Sequence, residues 1–132
     1  MTKVVLDTNV IVSAFLTPGG KPAAILESVL RNELDICYNA EIISEYEEVL
    51  CRPKFVGVIS QPSIQRFFDI ITKIGIRISC SPSNIILYDE KDRVFYDIAK
   101  AADAKLISGN KKHYPEEDFI FDPTEFLQHI KN

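Results

Sequence analysis

The sequence predicts an α/β fold with a central, mainly parallel sheet of four to five strands. Short apolar runs rich in β-branched residues alternate with longer segments whose apolar residues recur at helical spacing. This alternation is typical of parallel sheets covered by helices. At 132 residues, without a linker or an internal repeat, the chain is expected to form one domain spanning 1–132.

Local patterns predict the elements of the first half in order. Val4, Val5 and Leu6 form an apolar run, predicted as the first strand. Helical spacing follows over 9–16 and, after a break at 17–20, over 22–30. A second strand is predicted at 34–38, with Asn39 capping a helix over 40–50 that ends before Pro53.

The second half repeats the alternation, after a stretch at 54–60 that shows no clear pattern. A helix is predicted over 62–74, ended by Gly75, and a strand over 76–79. A polar loop leads to a helix over 92–102, a strand over 105–108 and a turn at 109–110. A last strand at 119–121 precedes a helix over 123–130, for which Asp122 is the predicted N-cap.

Composition limits the possible classes of function. The formal net charge of −4 does not predict a basic surface for tight, non-specific DNA binding. Three cysteines without CxxC spacing argue against a disulfide framework and a structural zinc site. Without a signal-peptide pattern or an apolar run long enough to span a bilayer, we expect a cytoplasmic protein with no membrane partner.

Polar residues lie where the predicted fold gathers the carboxyl ends of its strands. Asp7 directly follows the first strand, and an acid behind a buried strand needs a partner. Glu45 lies early in the third helix, and Asp92 begins the fifth, just after Asp89 in the preceding loop. Asn110 follows the fourth strand. Carboxylates crowded at one edge repel one another unless bridged by a cation, and oxygen ligands suit Mg²⁺ or Mn²⁺.

Ordinary structural roles remain open at several of these positions. Asp92 is also a suitable helix cap, and Asn110 a suitable turn residue. The apolar stripe of the third helix does not distinguish Glu45 from Glu47, which flank opposite sides of it about equally.

Four stretches of the chain together resemble the PIN-domain nucleases, and most of all the branch of toxins from bacterial toxin–antitoxin pairs. They are VVLDTNVIVSAFL, EIISEYEEVLCRPKF, DEKDRVFYDIAKAADAKLISGNKKHYP and DPTEFL. The resemblance covers nearly the whole chain, and the ordered set is more specific than any single piece. Asp92 and Asn110 are 18 residues apart, which matches the family's spacing. The resemblance implies a three-layer α/β/α sandwich.

The resemblance also implies roles for individual residues. Asp7, Glu45 and Asp92 match the family's metal-binding acids, which favours Glu45 over Glu47. The fourth catalytic position is usually Asp and here is Asn110, whose amide lacks the charge and weakens a second metal site. Asp89 is a further candidate ligand.

Supporting residues follow from the same resemblance. Thr8, Asn9 and Ser108 match positions that hold the acids by hydrogen bonding. Candidate RNA contacts, for which an ordinary solvated surface is the alternative, are Arg52, Lys54, Lys111, Lys112 and His113.

The expected function is that of an endoribonuclease dependent on Mg²⁺ or Mn²⁺. As the resemblance implies, it would hydrolyse RNA to leave a 5′-phosphate, and it would be the toxin held by a small antitoxin protein. A preference for single-stranded RNA is expected, since an unpaired backbone reaches a buried metal more easily. The resemblance also favours a homodimer, in which Phe67 and Phe68 are interface candidates unless they lie in the core.

Two other functions are compatible with the sequence. Because Asn110 stands at the fourth position, one alternative is a catalytically weakened module that binds RNA or a protein partner. A phosphatase of the haloacid-dehalogenase type would use Asp7 as nucleophile. That family has a second Asp two residues on, where this chain has Asn9.

Overall fold

The computed structural model describes residues 1–131 as a five-stranded sheet with six α-helices. Residue 132, the last of the predicted domain, lies outside the described residues. The strands are β1 (Lys3–Leu6), β2 (Asp35–Tyr38), β3 (Ile76–Arg77), β4 (Lys105–Ile107) and β5 (Ile120–Phe121). The helices are α1 (Thr8–Leu16), α2 (Lys21–Leu30), α3 (Ala40–Leu50), α4 (Gln61–Ile74), α5 (Arg93–Ala102) and α6 (Pro123–Lys131).

The strand order is β3-β2-β1-β4-β5, and all four strand pairs are parallel. The chain leaves β1 for β2 on one side and returns later to form β4 on the other. The carboxyl ends of β1 and β4 therefore flank the point at which the strand order reverses. Open α/β sheets bind their ligands at this point.

Helices cover both faces of the sheet, which confirms the predicted α/β/α sandwich. Helix α5 packs on β1, β2 and β4, and α2 contacts α1, α4 and α6. Helix α3 contacts both α1 and α5, so it lies close to the end of β1. Val4, Val5 and Leu6 are fully buried, and burial of each such side chain stabilises the fold by roughly 1.5–3 kcal/mol.

Most predicted elements are confirmed, and the differences lie at their ends. Helix α3 has the predicted bounds, and the Asn39 side chain accepts a hydrogen bond from the Ile42 amide at 2.8 Å. Asp122 caps α6 in a reciprocal pair of hydrogen bonds with Glu125. The ambiguous stretch at 54–60 contains the end of a 3₁₀ turn, Pro53–Phe55. Helix α5 starts one residue late because Glu90–Asp92 form another 3₁₀ turn.

Gly75 ends α4 as predicted. Its backbone is extended, with φ −74°, rather than left-handed. A Cβ at this position would lie 2.4 Å from the Ile71 carbonyl oxygen and 2.8 Å from the Tyr38 ring. Glycine is therefore needed here for the close approach of α4 to β2.

Candidate functional site

Asp7 lies at the carboxyl end of β1 and is 5% exposed. Its carboxylate accepts hydrogen bonds from the Ser108 hydroxyl at 2.8 Å and from the Tyr114 hydroxyl at 2.9 Å. Ser108 follows β4, and its hydroxyl oxygen in turn accepts a hydrogen bond from the backbone N–H of Asn110 at 3.0 Å. The acid that follows β1 is thus held by residues that follow β4, across the point where the strand order reverses.

The environment of Asp7 acts on its charge in both directions. Burial raises the pKa of the carboxyl, because desolvation disfavours the ionised form. Hydrogen bonds from Ser108, Tyr114 and the Thr8 amide, and the nearby charge of His113, act to lower the same pKa. The carboxylate is therefore held in place, but these interactions do not fully offset the effect of burial on its pKa.

Glu45 is brought to Asp7 by the packing of α3. The neighbouring Tyr46 is fully buried, and its hydroxyl donates a hydrogen bond to the Leu6 carbonyl at the end of β1. The half-buried Glu45 carboxylate accepts a hydrogen bond from the Thr8 hydroxyl. Glu47, in contrast, is exposed. The structure thus places Glu45 beside Asp7 and leaves Glu47 at the surface.

The pKa of Glu45 is raised, first by burial. The hydrogen bond from Thr8 opposes this rise, and the negative charge of Asp7 adds to it. The positive charge of Lys91 lowers the pKa of the same carboxyl. Asp7 and Glu45 are therefore coupled like charges.

Asp92 completes an acidic cluster, defined here as Asp7, Glu45 and Asp92. Burial, followed by the charges of Asp7, Asp89 and Glu45, raises the pKa of Asp92 to about 7. Its side chain makes no capping hydrogen bond to α5, so the alternative role as a helix cap is not the one it fills. Asp89 itself is exposed, and its carboxylate accepts the Lys91 amide at 3.0 Å.

Tyr114 is the residue of this site that the sequence did not single out. It is buried, and burial together with the charges of Asp7 and Asp92 raises the pKa of its hydroxyl far above the ordinary value. The charge of Glu45 acts in the same direction. Its hydroxyl is therefore a neutral donor to Asp7, within reach of the field of all three acids.

The other predicted site residues lie around the acidic cluster. Asn9 accepts the Gly109 amide at 2.9 Å and so ties the start of α1 to the segment after β4. Thr8 donates a hydrogen bond to Glu45 and Ser108 donates one to Asp7, whereas the bond of Asn9 goes to the Gly109 backbone and not to an acid. Asn110 is exposed, and its side chain makes no capping hydrogen bond to the turn that follows it at 111–113.

Two of the predicted RNA contacts are engaged in ion pairs. Lys111 pairs with Glu125 of α6 at 3.0 Å, and Arg52 pairs with Glu48 one helical turn away at 3.1 Å. These pairs are exposed and contribute little to stability. They nevertheless reduce the positive charge that these two side chains present to an RNA backbone.

The remaining basic residues are more available. Lys112 is exposed and takes part in none of the ion pairs formed within residues 1–131. Lys54 lies over the ring of Phe55, 5.1 Å from its centroid. The positive charges of Lys91 and His113 lower the pKa of Glu45 and Asp7, respectively, so both residues lie close to the acidic cluster. Sequence reasoning gave Lys91 no role, although it lies in one of the four stretches that carry the resemblance.

The donor set of the acidic cluster fits a hard divalent cation. Its carboxylates supply only oxygen ligands, and each feels the negative charge of another. Within the part of the chain that the structure describes, no three acidic, histidine or cysteine side chains stand close enough together to hold a metal ion. Binding would therefore require the three carboxylates to draw together, which a bridging cation favours.

The fold and this site define an α/β protein with an acidic, oxygen-only centre at the reversal point of a parallel sheet. A family model described as PIN domain matches residues 3–112, and the chain belongs to this family. PIN domains are typically nucleases, which act as hydrolases on nucleic acid and generally use divalent metal ions.

Known proteins are similar to this chain over more than four fifths of its length. An uncharacterized protein of Methanocaldococcus jannaschii is 26% identical over 110 residues, which are 83% of this chain and 71% of that protein. A chain from the crystal structure of VapBC2 from Rickettsia felis, bound to a DNA fragment from their promoter, has a TM-score of 0.56. It is 19% identical, and the match covers 84% of this chain and 90% of that chain. This likeness supports the fold.

No helix within residues 1–131 is long and apolar enough to cross a membrane.

Proposed function

We propose that this chain is an endoribonuclease that depends on Mg²⁺ or Mn²⁺ and cleaves single-stranded RNA. The observation that carries the proposal is the acidic cluster at the reversal point of the sheet. Ser108 and Tyr114 hold Asp7, Thr8 holds Glu45, and no capping bond competes for Asp92. A structural role would not require Asp7, Glu45 and Asp92 to lie so close that the charge of one raises the pKa of another.

Each acid has a defined part in this proposal. Asp7, Glu45 and Asp92 would hold the cation, with Asn110 or Asp89 as further oxygen donors. The bound cation would supply activation of water and neutralisation of the charge that develops on the scissile phosphate. Hydrolysis would place the hydroxyl of water on phosphorus and release the 3′-oxygen, leaving a 5′-phosphate.

The chain's own hydrogen bonds prepare this chemistry. Tyr114, a neutral donor, fixes one oxygen of Asp7 without adding a charge that would compete with a cation. Thr8 does the same for Glu45. Such partners of metal ligands orient them before binding, and their loss typically lowers activity or metal affinity by roughly 10–100-fold.

The proposed partner is a small antitoxin, and the proposed assembly contains two copies of the chain. The structural neighbour VapBC2 motivates the first part of this proposal. For the second part, Phe68 is half-buried and remains a candidate interface residue. Phe67 is only 1% exposed and packs against Phe15 and Tyr46, so it belongs to the core.

The test is RNA cleavage by the purified chain in Mn²⁺ or Mg²⁺, with and without EDTA. We expect cleavage of single-stranded RNA only with the metal, and a loss of at least roughly 100-fold in Asp7→Asn. Asp118→Asn, the same chemical change at an exposed position, is the control. Cleavage that survives EDTA, or wild-type rates in Asp7→Asn, would contradict the mechanism.

A second candidate is a module that binds RNA without cleaving it. The observation that favours it is Asn110, which is exposed and supplies no charge to the acidic cluster. Tight binding of RNA by the wild type, with no cleavage in any divalent metal, would favour this function over the first.

A further inference from the structure

Two aromatic rings stack on each other at the surface, outside the acidic cluster. The rings of Tyr88 and His113 have centroids 4.4 Å apart and planes inclined by 21°. Tyr88 is 80% exposed, whereas His113 is half-buried. We call these two residues the aromatic pair. His113 covers one face of the Tyr88 ring, which leaves the other face open to solvent.

The aromatic pair lies on two segments that border the acidic cluster. Tyr88 directly precedes Asp89, whose charge is felt by Asp92. His113 directly precedes Tyr114, which donates its hydrogen bond to Asp7. The stack therefore bridges the entry to α5 and the segment after β4 at the rim of the site.

The segment that carries Tyr88 is held by hydrogen bonds rather than by regular structure. The Arg93 guanidinium donates to the Ser83 and Ile85 carbonyls, each at 2.7 Å. The Asp97 carboxylate accepts the Ser83 amide at 3.0 Å. With the segment fixed in this way, an exposed ring of Tyr88 binds a partner at a smaller entropic cost than a ring on a free loop.

We propose that the aromatic pair is a stacking platform for an unpaired RNA base next to the scissile phosphate. This proposal rests on the proposed ribonuclease function and adds a basis for single-strand selectivity. Every base has a π-face, so a platform of this kind selects unpaired bases without selecting a sequence. Bases inside a duplex already stack on one another and gain nothing from it. In this proposal Tyr88 contacts the base, and Lys112, which is exposed and directly precedes His113, contacts a phosphate.

The experiment compares Tyr88→Ala, Tyr88→Phe and Ile86→Ala with the wild type. Ile86 is the matched control, because it lies in the same segment and is 93% exposed but has no ring. The substrates are a single-stranded RNA containing 2-aminopurine and a duplex of the same sequence. Stopped-flow fluorescence measures base stacking before cleavage, and steady-state rates give KM and kcat.

We expect Tyr88→Ala to raise the KM and the Kd of the single strand by roughly 10-fold or more. Tyr88→Phe should keep wild-type values because it retains the ring, and Ile86→Ala should match the wild type. None of these changes should alter the parameters of the duplex. Replacing the stacked base by an abasic site should weaken binding to the wild type but not weaken Tyr88→Ala further.

Equal binding of the single strand by Tyr88→Ala and the wild type would overturn the platform, even if the wild type cleaves RNA normally. Equal losses on single strand and duplex would also overturn it. A wild type that binds and stacks the base but does not cleave would refute the nuclease function while supporting the platform. These outcomes separate the failure of one proposal from the failure of the other.

Discussion

At the scale of single residues, Asp92 shows how burial and neighbouring negative charges together act on a carboxyl group. Burial and the charges of its neighbours raise its pKa from an ordinary value near 3.8 to about 7. The folded, metal-free protein therefore holds a proton on Asp92 more tightly than the unfolded chain does. Between these two pKa values the unfolded chain releases the proton while the folded state keeps it, so this residue's contribution to stability falls as the pH rises.

We predict that Asp92→Asn stabilises the metal-free protein, and that the gain depends on pH. The difference in free energy of unfolding should be near zero below pH 4, where both forms are neutral. It should increase through the window from about 4 to 7 and level off above it at ~1–2 kcal/mol, after discounting for partial exposure. Denaturant unfolding in EDTA at several pH values measures it.

Asp118→Asn is the matched control, since it removes the same charge from an exposed position. The change in the free energy of unfolding that Asp118→Asn causes should be small at low and at high pH. A gain from Asp92→Asn that is equal at pH 4 and pH 8 would show that the carboxyl of Asp92 is not repelled in the folded state.

The residues of the site differ in how far the sequence could reveal them. Asp7 was predictable because an acid directly behind a buried strand needs a partner. Glu45 could be singled out only through the family resemblance, because helical periodicity treats Glu45 and Glu47 alike. In the structure, the docking of α3 through Tyr46 separates these two glutamates. Tyr114 lies 107 residues from Asp7 along the chain. A contact over that distance leaves no local pattern.

At the scale of elements, α5 organises the connection that precedes it. Residues 79–89 contain no helix or strand, yet the N-terminal half of α5 holds them through Arg93 and Asp97. Arg93 also pairs with Glu90 at 2.6 Å, and its side chain is 17% exposed. A planar guanidinium serves several acceptors at once, which a lysine ammonium does not reproduce.

We predict that Arg93→Lys loosens this connection while it preserves the charge. Losing one or two net hydrogen bonds should speed hydrogen exchange of peptides covering residues 79–89 by roughly 10-fold. The KM for single-stranded RNA should rise in the same direction as in Tyr88→Ala, because Tyr88 loses its fixed position. Hydrogen-exchange mass spectrometry and steady-state cleavage measure the two effects.

Arg66→Lys, on the exposed side of α4, is the control for the chemical change alone. If Arg93→Lys and Arg66→Lys exchange at the same rate over residues 79–89, the guanidinium is not what holds this connection.

The α-helices and strands were predictable, whereas the 3₁₀ turns and the ends of some elements were not. Strand β3 has two residues instead of the predicted four, although the Ile78 amide still donates to the Tyr38 carbonyl at 2.9 Å. Alternation of side chains continues beyond Arg77, but strand pairing depends on a neighbour that the sequence does not display. Gly75 shows the same limit, because its role depends on how closely β2 approaches.

At the scale of the whole molecule, strand order creates the site. Five parallel strands in the order β3-β2-β1-β4-β5 place β1 at the centre, with β4 beside it. Ser108 and Tyr114 thereby reach Asp7 from the far end of the sequence. Alternating strands and helices predicted the parallel sheet, but the order of its strands came only from the structure.

The net charge of −4 would oppose the approach of the proposed RNA substrate. A negative chain with three carboxylates at its centre repels a polyanion, so favourable contacts must come from a few cations at the rim. Arg52 and Lys111 are already paired with glutamates. Few phosphate contacts predict a shallow dependence of RNA cleavage on monovalent salt.

Lys111 and Lys112 allow a direct test, because they are adjacent but differ in their partners. For single strands, each phosphate contact contributes about 0.7 to the slope of log kcat/KM against log salt concentration. We predict that Lys112→Gln reduces the magnitude of this slope by about that amount. Lys111→Gln should change it less, since the Lys111 ammonium is 3.0 Å from Glu125. Cleavage rates over a KCl series at fixed Mg²⁺ give the slopes. Equal changes of slope in the two variants would show that the ion pair with Glu125 does not prevent Lys111 from contacting RNA.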